Sequence, residues 1–404
     1  MRALSHREAG GSRCMSRRGF VGALGFLALA GVGLAAGCTP RAQAGGSGSL
    51  AYGSAARRAS GSAEAEAAAE EEEVAGRASS RLAHFDLAAI PAAPEFAAFA
   101  LEGGAHATGV PSLTADATAS IGAAIATVQT MGSLSLVLLD TVTGAGVAYG
   151  TDTVVYGASS FKAPYAAYVL RELVEPGTVS LDTGCIVSPN SWYDGTYGIV
   201  GATFTVRELI QALVLDSDND AFRILHDNLD GLGYLSWADG LFGAGVIDPI
   251  GPFQNVSART MARAWSYIWT YIETESVLAT WLAQMLAATN RSFIRDALGV
   301  PAGAAPTAPL DAATPAADAV ALDATAQTET PLGPVRVWNK AGWVGGDVLY
   351  NSTSDAGVVQ VGSTPYLVCA MSNMSYGDAS AAALEAVISS ALSGLVAAGQ
   401  ENSD

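Results

Sequence analysis

The stretch Gly157-Ala158-Ser159-Ser160-Phe161-Lys162-Ala163-Pro164 decides how this chain is read. Before it, Thr153 to Tyr156 reads as a short strand. After it, Tyr165, Tyr168, Val169 and Leu173 recur at helical spacing until Pro176-Gly177. A strand therefore gives way to a helix at Ser159, and residues three apart share one helical face, so the Ser159 hydroxyl and the Lys162 amine can meet. The free N–H groups of a helix start, with its dipole, favour a developing anion beside Ser159. Of the 20 basic residues, 18 are Arg; the two lysines are Lys162 and Lys340. A desolvated amine can lose its proton and act as a base, whereas guanidinium stays charged. A serine with an adjacent base is a nucleophilic arrangement.

The surrounding pattern gives the architecture. Ile121, Ile125, Val128 and Met131 predict a helix, and residues 134–139 and 145–149 predict strands joined at Thr143-Gly144. Thr205-Val206-Arg207-Glu208 is a capping box, with Val206, Leu209, Ile210 and Leu213 as the apolar face behind it. More helix is expected over 219–243 and 257–298. Strands are expected from Val335 to Trp338, over 356–361 and over 366–371. A last amphipathic helix carries Leu384, Val387, Ile388, Ala391, Leu392, Leu395 and Val396. Strands and a helix at each end thus flank a helical middle. The expected fold is α/β (α+β): an antiparallel sheet built from both chain ends, plus an inserted all-α domain. The domain runs over 116–404, with 116–164 and 335–404 as its α/β part and 165–301 as its helical part. Residues 302–334, rich in Ala, Pro, Thr and Asp, are expected as a surface insertion.

The first 38 residues read as an export signal. Ser16-Arg17-Arg18-Gly19-Phe20 resembles a twin-arginine motif, and an uncharged stretch then leads to Leu34-Ala35-Ala36-Gly37-Cys38, which resembles a lipobox. Cys38 is the expected lipid attachment site, and Met15 is a possible alternative start. The expectation is a membrane-anchored extracytoplasmic lipoprotein. Residues 39–115 comprise an Ala-, Gly-, Ser- and Glu-rich tether, then a mixed segment from 82 with no assignable structure.

A net charge of −18 argues against nucleic-acid partners. Four Cys make no disulfide scaffold, and Cys185 and Cys369 are expected as buried thiols. His226, the only His in the domain, has no ligand spacing around it and is expected at the surface or a cap rather than on a metal. No metal, cofactor or second subunit is implied.

Two further motifs complete the first: Ser217-Asp218-Asn219 after the capped helix, and Lys340-Ala341-Gly342 on a terminal strand. In order and context the set resembles the class A β-lactamase-related, penicillin-recognising family of serine hydrolases, over about Asp116 to Val396. The resemblance implies acyl transfer. Ser159 would be the acylated nucleophile and Lys162 its base or relay. Ser217 would pass a proton to the leaving nitrogen, in the positive field of Lys340. Asn219, Ala341 and Gly342 would line the substrate. The backbone N–H groups of Ser159 and Trp343 would form the oxyanion hole. Trp192 or Tyr193 would stand at the cleft mouth. The implied substrate is a β-lactam or a peptidoglycan-stem D-Ala-D-Ala-like amide.

Three departures qualify that picture. Ala341 stands where the family has a hydroxyl residue. No Arg follows Arg336, although the family often sets one on the next strand for the substrate carboxylate; Ser352, Thr353 or Ser354 are the available substitutes. No Glu lies between Ala221 and Ile272, where a class A β-lactamase needs one to drive water onto the acyl-enzyme. Asp248, Gln254 and Asn255 occupy that stretch, and only Asp248 can take a proton. Acylation is therefore expected, with weak deacylation. The alternative is a slow D,D-peptidase or a penicillin-binding sensor without β-lactamase turnover.

Overall fold

The computed structural model describes residues 80–105, 109–189, 193, 195–303, 327–347 and 349–401. The chain divides into two units, Met1–Ser60 and Gly61–Asp404, and every described residue belongs to the second. The export signal and Cys38 lie outside the described residues.

In chain order the domain begins with two short 3-10 turns and strand β1 (Ala97–Ala100), then helix α1 (Ala115–Gln129). Strands β2 (Leu134–Asp140) and β3 (Ala145–Tyr149) form a hairpin, followed by the two-residue β4 (Val155–Tyr156). A 3-10 turn at Ala158–Phe161 runs into α2 (Lys162–Tyr168), which ends in a π-turn, Val169–Val174. Strands β5 (Gly184–Ile186) and β6 (Thr203–Thr205) pair, and α3 (Val206–Gln211) then ends in a second π-turn, Ala212–Asp216. Next come α4 (Asn219–Leu229), α5 (Tyr234–Phe242), β7 (Asn255–Val256), α6 (Ala258–Ile272), α7 (Val277–Ala287) and α8 (Phe293–Leu298). Strands β8 (Thr328–Thr330), β9 (Gly333–Val344), β10 (Ser352–Val361) and β11 (Thr364–Ser372) precede α9 (Asp378–Glu401).

The main sheet has the order β1-β3-β2-β11-β10-β9-β8, antiparallel throughout. It is built from both chain ends around a helical middle, as the pattern of apolar residues requires. One face carries α1 and α9, packed through Ile121, Ile125, Leu384, Val387, Ile388 and Leu392. This apolar α9 is long enough to cross a membrane, yet most of it is buried inside the domain. The other face meets the helical part through α6, whose Trp265 and Trp269 are fully buried and whose Trp269 ring lies 5.1 Å from that of Trp338. The Thr205 capping box forms in both directions, 3.2 Å from Glu208 N to Thr205 Oγ1 and 2.8 Å from Thr205 N to Glu208 Oε2.

Three expectations are corrected. The unassigned segment after residue 82 supplies the edge strand β1, which pairs with β3. Its four residues, Ala-Ala-Phe-Ala, are too few and too poor in β-branched side chains to announce a strand. Residues 328–334 of the expected surface insertion form β8 and the start of β9, which make a tight hairpin too short to show alternation. His226 is buried rather than superficial: its ring stacks on Tyr165 at 3.8 Å, and Nδ1 sits 2.7 Å from Asp230 Oδ2. Cys185 and Cys369 are buried free thiols, and burial raises the pKa of each.

Candidate active site

Strand β9 builds one wall of the cleft. Its pairing with β8 stops at Val335, and beyond that point the turn bearing Ser159 packs against it. The approach is close. A Cβ on Gly342 would fall 2.2 Å from Gly157 O, 2.8 Å from Ser160 N and 3.1 Å from Ser159 N. Only glycine lets strand and turn meet this way. The turn is also bent: Ala158, just before the nucleophile, takes φ +48°, a left-handed conformation that costs a β-carbon residue free energy. Three bonds hold it, Gly157 N–H to Gln254 O at 2.9 Å, and Ser160 N–H and Ser160 Oγ to Gly157 O at 3.1 and 2.7 Å. Ser159 itself is half-buried.

Lys162 opens α2 from a fully buried position. Its Nζ donates to the Ser217 carbonyl and, at 2.8 Å, to Asn219 Oδ1; Ser217 Oγ is 3.3 Å away. Ser217 reaches that place because the π-turn of α3 delivers it with φ +57°, ψ +33°. Asp218 caps α4 by accepting from Ala221 N at 2.8 Å. The first two motifs thus converge on one amine. Phenyl rings of Phe222 and Phe253 each lie 5.8 Å from it.

Lys340 is fully buried, and among the described residues its Nζ has no hydrogen-bond partner. Desolvation lowers its pKa to about 7, against the pull of Asp355 and Asp216. The Trp343 ring centroid lies 5.7 Å from its Nζ. Trp343 itself pairs with Thr353 on the same strand wall, one residue past Gly342.

Beneath this wall lies a network that sequence reading did not find. Asp355 is paired in register with Ala341 and is fully buried. Asn339 Nδ2 donates to its two oxygens at 2.8 and 3.0 Å, Ile294 N at 3.0 Å and Ser292 Oγ at 3.3 Å. Arg295 in turn donates to Asn339 Oδ1 and Thr289 Oγ1, both at 3.2 Å. Burial raises the Asp355 pKa to about 6, opposed by its bonds to Asn339 and Ile294. The available signal was an Asn directly before Lys340 and a lone acid in a strand of small and apolar residues.

The other expected groups are placed as follows. Ser352, Thr353 and Ser354 are buried and spent within the fold: Ser352 Oγ donates to Gly342 O, Thr353 Oγ1 to Met374 O and Ser354 Oγ to Ser372 O. None is left over as a carboxylate ligand, because each stitches the strand ends together. Gln254 is buried and closes its own loop, accepting from Asp248 N at 2.7 Å and donating to Asp248 O and Gly251 O. These bonds brace the loop. Asp248 is exposed, with Oδ1 accepting from Ile250 N at 2.9 Å. Asn255 is exposed on β7. Tyr193 is half-buried, its hydroxyl accepting from Ser188 N at 3.1 Å and donating to Asp227 Oδ2 at 3.2 Å, so it ties the loop to α4. Trp192 lies outside the described residues.

A serine on a strained turn beside a buried, hydroxyl- and amide-bound lysine is an acyl-transfer arrangement. The family model described as "Beta-lactamase enzyme family" matches residues 118–396, more than half of the chain. The chain belongs to that family. It is a serine hydrolase of the class A β-lactamase-related kind. A β-lactamase from Sphaerobacter thermophilus has the same fold at 17% identity and TM-score 0.50, the match covering 70% of this chain and 98% of that one. A reconstructed class A β-lactamase of the last common ancestor of Gram-negative bacteria is 23% identical at TM-score 0.49, covering 69% and 99%. A protein named PBP-A is 17% identical at TM-score 0.49, covering 68% and 94%. No curated protein matches.

Proposed function

We propose that the protein is an exported serine acyl-transfer hydrolase that acylates Ser159 with a β-lactam or D-Ala-D-Ala-like amide and releases the acyl group slowly. The observation that carries the reading is the Lys162 amine, seated against Ser217 and Asn219 one helical turn from Ser159. The Ser159 Oγ attacks the carbonyl carbon and its proton passes to the neutral amine. The tetrahedral anion is met by backbone N–H groups at Ser159 and Trp343, each such donor being worth about 3 kcal/mol. Ser217 returns a proton to the leaving nitrogen as the C–N bond breaks.

Slow release is supported by the loop over 248–254. Its Gln254 is locked inward and its Asp248 is engaged with its own turn. Without a proton acceptor beside the ester, water lacks the drive to cleave it. The Ala341 methyl and the missing glutamate equally favour a second reading, a penicillin-binding sensor or slow D,D-peptidase. Export and lipid anchoring rest on the Arg17-Arg18 and Leu34-to-Cys38 motifs.

Time-resolved intact-mass measurement with benzylpenicillin tests the main reading. A Ser159 adduct that persists for minutes is expected. Clearance within seconds would contradict slow release, and no adduct after prolonged excess would contradict penicillin recognition.

A further inference from the structure

The loop over 248–254 meets the reactive cluster with an aromatic ring. Phe253 is half-buried and packs against the core. Its ring centroid lies 5.8 Å from Lys162 Nζ and 5.6 Å from Arg223 Cζ, so both cations are within range of its π-electrons. The Phe222 ring meets it edge-on, with centroids 5.4 Å apart. The next residue, Gln254, accepts from Gly157 N through its carbonyl at 2.9 Å, which seats Phe253 beside the turn that carries Ser159. Helix α4 fixes the ring there. Arg223 stands one helical turn after Asn219 on the same face. Its Nη1 lies 3.8 Å from Oδ1 of the fully buried Asp220, whose Oδ2 accepts from Gly195 N at 2.8 Å. Around the Lys162 amine, Ser217 and Asn219 supply the polar contacts, while Phe222 and Phe253 present carbon.

We propose that Phe253, held by Arg223 and Phe222, keeps hydrolytic water away from the acyl-enzyme at Ser159. This deepens the slow-release reading and rests on it. That reading has one cause, the lack of a proton acceptor on the loop; the ring adds a second that does not depend on it. A water activated by Lys162 must reach the amine and the ester carbon at once. The ring covers the amine from the side of the loop, and its carbon offers water no hydrogen bond there. In hydrolysis the water oxygen bonds the acyl carbon, the bond from that carbon to Ser159 Oγ breaks, a water proton passes to the serine and the acid departs. Excluding water blocks the first event and leaves the serine's own attack on a donor unhindered. Phe253 and Arg223 are positioning residues, since neither acts on the reacting atoms.

The test follows decay of a preformed benzylpenicilloyl adduct on the full chain by intact mass, with and without hydroxylamine. Hydroxylamine attacks esters without help from a base, so it reports crowding and not the missing proton acceptor. Its nitrogen bonds the acyl carbon, Ser159 Oγ leaves and takes up the proton, and a hydroxamate is released. In the parent, hydroxylamine should shorten the adduct's life by less than about twofold, and in Phe253→Ala by about tenfold. Phe253→Leu refills the space with carbon and should stay within about twofold of the parent. Acylation should change by less than about threefold in both variants, a split between formation and decay that a loosened fold would not give. Should Phe253→Ala fail to fold, Phe253→Val opens the same space and should speed hydroxylamine clearance by about fivefold. Equal clearance by hydroxylamine in parent and opened variant overturns the exclusion and leaves slow release standing. A parent adduct that clears in buffer within seconds overturns both. No adduct on the parent overturns the penicillin-acylation reading on which both rest.

Discussion

Gly342 and Ser159 meet backbone to backbone: a methyl on Gly342 would stand 3.1 Å from Ser159 N and closer still to the turn's own carbonyl at Gly157. Gly342→Ala should therefore push β9 and the nucleophile turn apart without emptying any core position. Acylation of Ser159 should fall by about 10²-fold, the worth of one misplaced oxyanion donor, while far-UV dichroism stays unchanged. Rates from intact mass against a fluorophosphonate check this. Acylation within about twofold of the parent would show that the close approach of Gly342 to Ser159 does not position the oxyanion donors.

The Lys162 amine makes a sharper case. Lys162→Arg keeps the positive charge but cannot supply a neutral base, so it should lose acylation as fully as Lys162→Ala, by about 10²–10⁴-fold. Both variants should also melt earlier. The acceptors at Ser217 and Asn219 lose their donor in Lys162→Ala, at a cost of about 1–3 kcal/mol. Retained acylation in Lys162→Arg would assign the base elsewhere.

Buried Asp355 predicts a pH dependence of stability. Its folded pKa is raised to about 6 from 3.8, so between these values the folded state holds the proton more tightly than the unfolded one. Stability is then highest below pH 4 on this account and declines as pH rises to 6, by at most about 3 kcal/mol. Lys340 acts in the opposite range. Its pKa is lowered to about 7, so stability recovers as pH rises above 7. Arg295 faces the same network through Asn339 and stays charged across the range. Chemical-denaturation midpoints from pH 4 to 9 should trace this trough, and Asp355→Asn should flatten its acid side.

Gln254 separates bracing from catalysis. Gln254→Leu removes three hydrogen bonds within the 248–254 loop and should lower stability by about 1–3 kcal/mol. Acylation should slow as well, because the neighbouring Gln254 carbonyl accepts from Gly157 N. Decay of the acyl-enzyme should stay the same. A faster or slower decay would show that this side chain handles the deacylating water.

The elements that were legible share a cause. Long segments with a sustained period, such as the Leu384–Val396 stripe of α9 and the β2–β3 hairpin, announce themselves because burial on one face repeats many times. The reactive cluster was legible for a different reason: Ser159, Lys162 and Ser217-Asp218-Asn219 sit at fixed offsets from a helix start and a helix end, so local geometry alone nearly specifies them. Strands β1 and β8 were not, since three or four residues carry no period and owe their form to a neighbouring strand. Asp355 was hidden for the same reason. Its importance comes from facing Ala341 across a ladder, a relation between positions 14 residues apart that only the register reveals.

The π-turn at Ala212–Asp216 has a consequence beyond shape. Such a turn is one amino acid longer than the α-turn it replaces, so Ser217 arrives about 100° out of phase with the helix that began at Val206. The amine's partners are thus held by a residue count as much as by any contact. Loss of a single codon between Ala212 and Asp216 would leave every side chain of the cleft chemically intact and still rotate Ser217 away from Lys162. Insertions and deletions in that short span are a route by which relatives with the same three motifs can switch reactivity off, or re-aim it, in one mutational step.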